Sequence, residues 1–278
     1  KVIVGRTEDA SEGIYLHANG FSQMDYEKDV FAFRGERSRE TSYTKDYEQL
    51  YELLKYEKEN GYVVWVLGPA AVFSKGSRDA MAKLIEEGYV DALLGGNAVA
   101  THDLEAGMFN TALGQDIYTL EPKHNGHYHH LDLLNKARKA SSIEKLIESE
   151  NINSGIIHAC VKNNVPIVLT GSIRDDGPLP EVIGDAYEGQ GAMRGLVRRS
   201  TCVVCLATML HTIATGNMTP SFRVLEDGTI RPLYLYTVDA DEFVVNKLLD
   251  RGSLSATTMV TNVQDFITIV ARGLGIMD

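Results

Sequence analysis

The segment Tyr62-Val-Val-Trp-Val-Leu67 decides the fold class, because it is a short, almost wholly apolar run that ends at Gly68-Pro69. A helical pattern follows over residues 77–87, and a second apolar run, Val90-Asp-Ala-Leu-Leu94, ends at Gly95-Gly96. Short apolar strands that alternate with helices are typical of parallel sheets covered on both faces. The segment therefore predicts a β-turn-α-β unit with glycine at the end of each strand.

The same alternation continues toward the C-terminus and predicts an open, doubly wound, mostly parallel α/β sheet over residues 61–278. Residues 1–60 are more polar and contain a helical pattern near residues 46–59, which predicts a small N-terminal subdomain. The further predicted elements are a helix over 143–150, a strand over 166–170, a helix through 205–211 that ends at Gly216, a strand over 232–238 and a helix over 240–250.

The length and charge of the chain restrict its partners. With 278 residues and 44% hydrophobic content, the chain is long enough to bury a large core. Its formal net charge of −11 opposes a phosphate backbone, so we expect no nucleic-acid partner. No apolar run approaches the roughly 20 residues that span a bilayer, and no leader pattern opens the chain. We expect a soluble, cytoplasmic protein without a membrane partner, and the initial Lys1 predicts a piece of a longer polypeptide.

The three cysteines fit a reducing compartment. Cys202 and Cys205 form one C-x-x-C within an apolar run, and no second pair completes a zinc pattern or a disulfide framework. A redox pair is the alternative interpretation, but the apolar surroundings favour buried, inert thiols.

Glycines gather where the predicted strands end, which is where ligands bind in open parallel sheets. Gly95-Gly96-Asn97-Ala98 opens a helical pattern, so backbone N–H groups there are available to a pyrophosphate. Gly171-Ser172 and Thr215-Gly216-Asn217 add two permissive turns. No predicted strand is followed by the G-x-G-x-x-G fingerprint of Rossmann folds. Glycines used only for tight turns are the alternative, and their convergence at several strand ends favours a ligand site.

The run Gly126-His-Tyr-His-His130 concentrates three histidines. A metal site would need further ligands, and Asp132 is the only acid nearby, so we expect no metal. If this run is extended, His127 and His129 share a face, and a hydrogen-bonding role around substrate or ribose is favoured. His158 and His211, in apolar surroundings, are interpreted as structural.

The loop Ser172-Ile-Arg174-Asp175-Asp176-Gly-Pro178-Leu-Pro180 places charge directly beyond a buried strand. Arg174 is suited to a carboxylate and the two aspartates to an amine, which matches an amino-acid substrate. The alternative is a solvated turn with an internal ion pair. Cys160 lies in a segment that precedes this strand, and from the residues alone a packing role for its thiol is favoured.

Several motifs together resemble one family: Leu67-Gly-Pro-Ala with Gly88-Tyr-Val-Asp-Ala-Leu-Leu-Gly-Gly-Asn-Ala98, His102-Asp103, Gly126-His-Tyr-His-His130, His158-Ala-Cys160, Gly171-Ser-Ile-Arg-Asp-Asp-Gly-Pro-Leu-Pro180 and Thr215-Gly-Asn-Met218. They are similar to the archaeal-type ornithine cyclodeaminases, once labelled as related to lysine-ketoglutarate reductase and saccharopine dehydrogenase. They also resemble the carboxy-terminal part of cyanobacterial bifunctional arginine dihydrolase/ornithine cyclodeaminases. The resemblance implies an NAD-binding domain like that of deoxyhypusine synthase.

The resemblance also implies a reaction, the conversion of ornithine to proline and ammonia. NAD takes hydride from Cα, the side-chain amine attacks the imine, ammonia leaves, and hydride returns to the cyclic imine. We expect Cys160, Asp175 and Asp176 to bind the amines and transfer protons, and Arg174 to bind the substrate carboxylate. The alternatives are an amino-acid dehydrogenase, a deoxyhypusine-synthase-like transferase and a non-catalytic NAD-binding module.

We expect NAD to be preferred over NADP, because Asp239 follows a predicted strand and its carboxylate would accept ribose hydroxyls and repel a 2′-phosphate. A homo-oligomer is expected. The complete predicted set of cofactor contacts is Gly95, Gly96, Asn97, Ala98, Gly171, Ser172, Thr215, Gly216, Asn217, Met218 and Asp239.

Overall fold

A parallel sheet of six strands forms the centre of the fold. The computed structural model describes residues 43–224, 228, 230–247 and 256–277. The strands, in chain order, are β1 (Val63–Leu67), β2 (Ala92–Gly96), β3 (Thr111–Ala112), β4 (Gln115–Asp116), β5 (Ile167–Thr170), β6 (Cys202–Leu206), β7 (Phe222–Val224), β8 (Ile230–Pro232), β9 (Tyr234–Asp239) and β10 (Ala256–Val260). The helices are α1 (Thr44–Asn60), α2 (Lys75–Glu86), α3 (Asn97–Phe109), α4 (His129–Ala140), α5 (Ile143–Ser149), α6 (Ile156–Lys162), α7 (Ala186–Val197), α8 (Met209–Met218), α9 (Glu242–Asn246) and α10 (Val263–Gly273).

The order of the strands reverses beside β1. Across the sheet the order is β10-β9-β6-β1-β2-β5, and all five neighbouring pairs are parallel. The chain therefore steps from β1 to β2 and β5, returns to the other side of β1 as β6, and continues outward. Ligands of doubly wound sheets bind beyond the carboxyl ends of the strands where the order reverses. The prediction of an open, doubly wound parallel sheet is confirmed.

Alternate residues of β1 fill the core on both faces of the sheet, because successive side chains of a strand point to opposite sides. Trp65 is fully buried in the larger cluster, and its indole N–H donates to the Tyr89 carbonyl at 3.0 Å. Val64 and Val66 belong to a smaller cluster that includes Met193 from α7. A strand buried on both faces reads as a continuous apolar run.

Two predicted local structures differ from the observed ones. Cys202–Leu206 forms strand β6, fully buried between β1 and β9, and the following helix begins only at Met209. The prediction of helix from Cys205 is wrong, since a short apolar run has no period that separates a buried strand from a buried helix. The histidine run is not extended, because residues Gly126–Tyr128 form a 3₁₀ turn and α4 begins at His129. The shared face of His127 and His129, on which their predicted role around substrate or ribose depended, therefore does not form.

The predicted N-terminal subdomain over residues 1–60 falls mostly on residues 1–42, which lie outside the described residues. Its helix, α1, is observed and buries Leu50 and Leu54 in the larger core cluster. This helix belongs to a compact unit over Ser42–Asp278. Within the described ranges, no helix combines the length and apolarity needed to cross a bilayer.

Candidate functional site

The ends of β1 and β6 approach each other so closely that only glycine fits between them. The Gly68 N–H donates to the Leu206 carbonyl at 2.8 Å, and a Cβ on Gly68 would collide with the Ala207 carbonyl. Ala207 itself has a φ of 51°, a conformation that non-glycine residues adopt rarely. Backbone atoms of Gly68, Leu206 and Ala207 therefore border the point where the strand order reverses.

Two helices that begin at this edge lack a side-chain cap. Helix α3 follows β2 and helix α8 follows β6, so they lie after the two neighbours of β1, and neither Gly96 nor Thr208 caps its helix through a side chain. In the described chain, the short 3₁₀ turn Pro69–Val72 directly after β1 also lacks a side-chain cap, whereas the α-helices that follow the other strands of the central sheet, and α2 after β1, are capped by Ser74, Asp185, Asp241 and Asn262. The first N–H groups of an uncapped helix favour an anionic ligand.

His211 of α8 connects two strands that are not neighbours. Its Nε2 lies 2.7 Å from the Thr170 hydroxyl at the end of β5, and its Nδ1 lies 3.1 Å from the Thr208 hydroxyl. A Cβ on Gly96 would lie 3.0 Å from the His211 ring. Burial lowers the pKa of His211, while the charge of Asp175 raises it. The His211 ring, which contacts two threonine hydroxyls, therefore extends over the end of β2.

Asn97 holds the charged loop against the start of α3. Its amide N–H donates to the Gly177 carbonyl at 2.9 Å, and its amide oxygen accepts from the Leu179 N–H at 2.9 Å. Within the loop, the Ser172 N–H donates to the Asp175 carboxylate at 2.8 Å. Because both Asn97 contacts are to backbone, they set the position of the loop whatever its side chains are.

A cavity of about 70 Å³ lies between this loop, α3 and α4. Across it, His130 Nε2 lies 3.1 Å from the Asp176 carboxylate, and the exposed fractions of these two side chains are 19% and 68%. The cavity is lined by Asn97, Ala98, Thr101, His130, Leu134, Arg174, Asp175 and Asp176. Its lining therefore contains one cation, two carboxylates and an imidazole, a set of groups that can bind the charged ends of a small zwitterion.

A buried carboxylate, Glu105, contacts His102, and the His102 ring packs against the cavity-lining His130. Glu105 is fully buried and accepts from Thr111 at 2.8 Å and from the Gly114 N–H at 3.2 Å. Its other oxygen lies 2.8 Å from His102 Nδ1. The His102 ring meets the His130 ring edge-on, with centroids 6.1 Å apart. A satisfied buried network of this kind restricts the rotamers of the residues it contacts.

The structure brings most of the predicted site residues to one edge of the sheet. Those at or directly beyond the carboxyl ends of β2, β5 and β9 are Gly95, Gly96, Asn97, Ala98, Gly171, Ser172, Arg174, Asp175, Asp176 and Asp239. The Asp239 carboxylate accepts from the Asp241 N–H at 3.0 Å, so part of its hydrogen-bonding capacity is already used.

Cys160 lies apart from that edge. It is fully buried in α6, and its carbonyl accepts from the Val165 N–H just before β5 begins, which places it toward the amino end of that strand. Burial, with a smaller contribution from Asp103, raises the pKa of the thiol. A thiolate is disfavoured there, so this placement contradicts the predicted role in amine binding and proton transfer and agrees with the packing alternative.

Thr215-Gly216-Asn217 lies at the end of a helix, as predicted, but this end of the helix is not at the carboxyl edge of the sheet. Thr215, Gly216, Asn217 and Met218 form the last turn of α8, a helix of ten residues that starts at the carboxyl edge. At 1.5 Å per residue, its end lies about 15 Å from its start. Met218 packs against the core cluster that contains Leu233 and Leu235, near the start of β9. These four residues are not part of the carboxyl-edge cluster.

The comparisons with known proteins agree with this geometry. Residues 48–270 match the family described as arginine dihydrolase ArgZ-like, C-terminal, Rossmann fold. The chain belongs to this family. The family resemblance predicted from the motifs is thereby confirmed.

The relatives of this ArgZ-like chain include archaeal and cyanobacterial proteins. An ornithine cyclodeaminase of Methanopyrus kandleri is 44% identical over 80% of this chain and 52% of the relative. The bifunctional arginine dihydrolase/ornithine cyclodeaminase ArgZ of Synechocystis is 38% identical over 81% of this chain and 30% of the relative. The chain spans about half the length of the archaeal relatives it matches.

The solved structures that are similar to this ArgZ-like chain include those of two longer proteins. The conserved putative LOR/SDH protein of Methanococcus maripaludis has a TM-score of 0.77 at 37% identity and is covered to 71%, with 86% of this chain matched. The ternary complex of AgrE with ornithine and NAD⁺ has a TM-score of 0.73 at 38% identity and is covered to 33%, with 83% of this chain matched.

Sequence reasoning missed four residues of this ArgZ-like site. The sequence pattern marks Gly68 only as a strand end, and the apolar surroundings of His211 indicate a structural role. Thr170 ends a predicted strand and Thr208 lies in a predicted helix, so the pattern marks neither as a site residue. Had Cys202–Leu206 been assigned as a strand, Thr208 and His211 would have followed its carboxyl end directly. No group of three metal-binding side chains occurs among the residues that the structure describes.

Proposed function

We propose that this chain is the NAD-binding portion of an ornithine cyclodeaminase, which converts L-ornithine to L-proline and ammonia. The observation that carries the proposal is the pair of uncapped helix starts, α3 and α8, on either side of the glycine at the end of β1. The family and its relatives named ornithine cyclodeaminase support the choice of reaction.

The edge of the sheet fits a dinucleotide. The N–H groups of Asn97 and Ala98 and the backbone at Gly95, Gly96 and Gly68 would hold the pyrophosphate, which needs no cation when helix starts supply the donors. Asp239 would accept ribose hydroxyls, and Gly171 and Ser172 lie on the same edge. Bound NAD would supply the acceptance and return of one hydride.

The charged loop would hold the amino acid. Arg174 is exposed and extends from a loop whose backbone is fixed by Asn97, so its guanidinium is available for the substrate carboxylate. Asp175 and Asp176 would receive the amines. Asp175 accepts one backbone hydrogen bond from Ser172, which orients its carboxylate toward the cavity wall shared with Arg174. The two ends of a zwitterion are then held by opposite charges, which orients Cα.

The alternatives predict different products. An amino-acid dehydrogenase accumulates NADH, a deoxyhypusine-synthase-like transferase needs an acceptor amine, and a non-catalytic module binds NAD without turnover. A cyclodeaminase produces proline and ammonia in equal amounts while NAD is regenerated.

The test is therefore incubation of the purified protein with L-ornithine and sub-stoichiometric NAD, with proline, ammonia and NADH measured together. Proline in large excess over NAD, without net NADH, is the expected result. Stoichiometric NADH with no proline would contradict the proposal.

We also infer a cytoplasmic homo-oligomer that takes part in proline biosynthesis. The three cysteines are unpaired, as a reducing compartment requires. Large apolar side chains stand exposed beyond the strand ends, as in a surface that another subunit covers: Ile173, Tyr187, Leu210 and Phe243. Sedimentation of the purified protein tests the oligomeric state.

A further inference from the structure

The candidate site contains an imidazole that no role proposed so far uses. We propose that His130 is the base that accepts a proton from the α-ammonium group of the substrate, and that Asp176, in addition to receiving an amine, orients the His130 ring. This inference rests on the function proposed above and adds a proton carrier to it.

The first support is the geometry of the pair. His130 Nε2 lies 3.1 Å from the Asp176 carboxylate, so the neutral ring donates its Nε2 proton to that carboxylate. The remaining nitrogen, Nδ1, then carries the lone pair, and within the described ranges it makes no hydrogen bond. A carboxylate that holds one nitrogen of a histidine while the other accepts a proton is a recurring catalytic arrangement.

The second support is that the ring is held in place and remains accessible. His130 belongs to the first turn of α4, lines the cavity with Arg174 and Asp175, and retains 19% exposure of its side chain. Its ring packs edge-on against His102, which is fixed by the fully buried Glu105. A base whose ring packs against a fixed neighbour and still lines the cavity keeps one orientation toward the substrate.

The third support is that the neighbouring histidines either already make polar contacts through their ring nitrogens or lie outside the cavity. His129 Nδ1 lies 2.8 Å from the Thr111 hydroxyl, and both ring nitrogens of His211 contact threonine hydroxyls. His102 Nδ1 is paired with Glu105. His127 is exposed and packs on the Tyr128 ring, with centroids 4.0 Å apart, and does not line the cavity. His130 is the imidazole of this group that combines a carboxylate partner with a place in the cavity wall.

The proton step balances without a further reagent. An N–H bond of the α-ammonium group of the substrate breaks, its electron pair stays on the α-nitrogen, and the proton forms a bond to His130 Nδ1. The resulting neutral amine has the lone pair that loss of hydride from Cα requires, whereas an ammonium has none. When ammonia leaves the cyclised intermediate, the proton returns from His130 to the departing nitrogen, so the base is restored in each cycle.

The groups around His130 determine how this step depends on pH. Those that face it are His102 on α3 and Arg174, Asp175 and Asp176 on the loop. Protonation of His130 Nδ1 removes the acceptor, so the pH profile of proline formation should have an acid limb, along which the rate falls.

The experiment compares His130→Gln with the matched control His127→Gln. The glutamine amide can replace the hydrogen bond from Nε2 to Asp176 but cannot accept a proton. We expect proline formation by His130→Gln to fall about 100-fold and to lose its acid limb, while the rise in melting temperature on adding NAD stays unchanged. His127→Gln should match the unsubstituted protein in all three measurements.

A second variant tests the role of Asp176. If this carboxylate positions His130, Asp176→Asn should lower kcat more than it raises KM. Nitrogen-15 NMR of histidine should also show that the proton no longer resides mainly on Nε2 of His130. If Asp176 only binds the substrate amine, KM should rise while the tautomer of His130 stays the same, and that result would overturn the assignment.

Failure of this inference is distinguishable from failure of the proposed function. If the unsubstituted protein forms no proline from ornithine, the proposed function fails and this base assignment falls with it. If the unsubstituted protein forms proline and His130→Gln retains both its rate and its acid limb, only the base assignment is overturned.

Discussion

His211 Nε2 lies 2.7 Å from the Thr170 hydroxyl, which joins the helix after β6 to the end of β5, with β1 and β2 between them in the sheet. The contact extends over Gly96, where a Cβ would lie 3.0 Å from the ring. One side chain therefore links both sides of the point where the strand order reverses, and its removal should affect the edge of the sheet as a whole.

The first prediction concerns the pH dependence of stability. Burial lowers the pKa of His211 in the folded state. At pH values between this lowered pKa and the pKa of His211 in the unfolded chain, the unfolded chain therefore binds more protons than the folded one. The contribution of His211 to the free energy of unfolding should be complete above about pH 6.5 and decline as the pH falls below it. Urea unfolding of His211→Gln should show a weaker decline over the same range. The exposed His127→Gln should show the same decline as the unsubstituted protein.

The second prediction tests the uncapped start of α3. Ala98 is the second residue of that helix, and Gln264 has the same position in α10, which Asn262 caps. Ala98→Asp should maintain or raise the melting temperature without NAD, since a carboxylate stabilises a helix start, but should weaken NAD binding at least about 10-fold by repelling the pyrophosphate. Gln264→Glu should leave NAD affinity unchanged in calorimetric titrations. Equal NAD affinity for both variants would place the pyrophosphate elsewhere.

The third prediction concerns the close approach of β1 and β6. A Cβ at Gly68 would collide with the Ala207 backbone, which has no flexible end to move aside. Gly68→Ala should therefore reduce the free energy of unfolding by at least about 2 kcal/mol. Gly184→Ala is the control, because a Cβ at Gly184 meets no atom within 4 Å. Denaturant unfolding measures both variants, and a normal midpoint for Gly68→Ala would show that the two strand ends separate easily.

The fourth prediction assigns Cys160 to packing. Because the thiol is fully buried and its pKa is raised, Cys160→Ala should reduce stability by about 1 kcal/mol and leave proline formation within about twofold. Cys202→Ala, at another fully buried thiol, should behave in the same way. A 100-fold loss of turnover in Cys160→Ala, with an unchanged melting temperature, would restore the catalytic role first predicted for it.

The alternation of apolar runs and helical patterns was sufficient to predict a parallel sheet, because strands buried on both faces carry a distinctive composition. Glycines and charged residues that follow such runs then pointed to the carboxyl edge, where Gly95, Gly96 and Asp176 are found. These predictions succeeded because the direction of a parallel strand is set by the chain itself, so its carboxyl end is known once the strand is recognised.

The placement of Cys160, of Thr215-Gly216-Asn217 and of the histidines required the tertiary structure. The order of the strands decided that β6 lies beside β1, and hence that Thr208 and His211, not residues 215–218, reach the candidate site. The position of the charged loop depended on Asn97, 80 residues before the carbonyl it binds. Local sequence determines which segments form strands and helices, but contacts between distant segments depend on how the whole chain packs, and those contacts decide which side chains share a cavity.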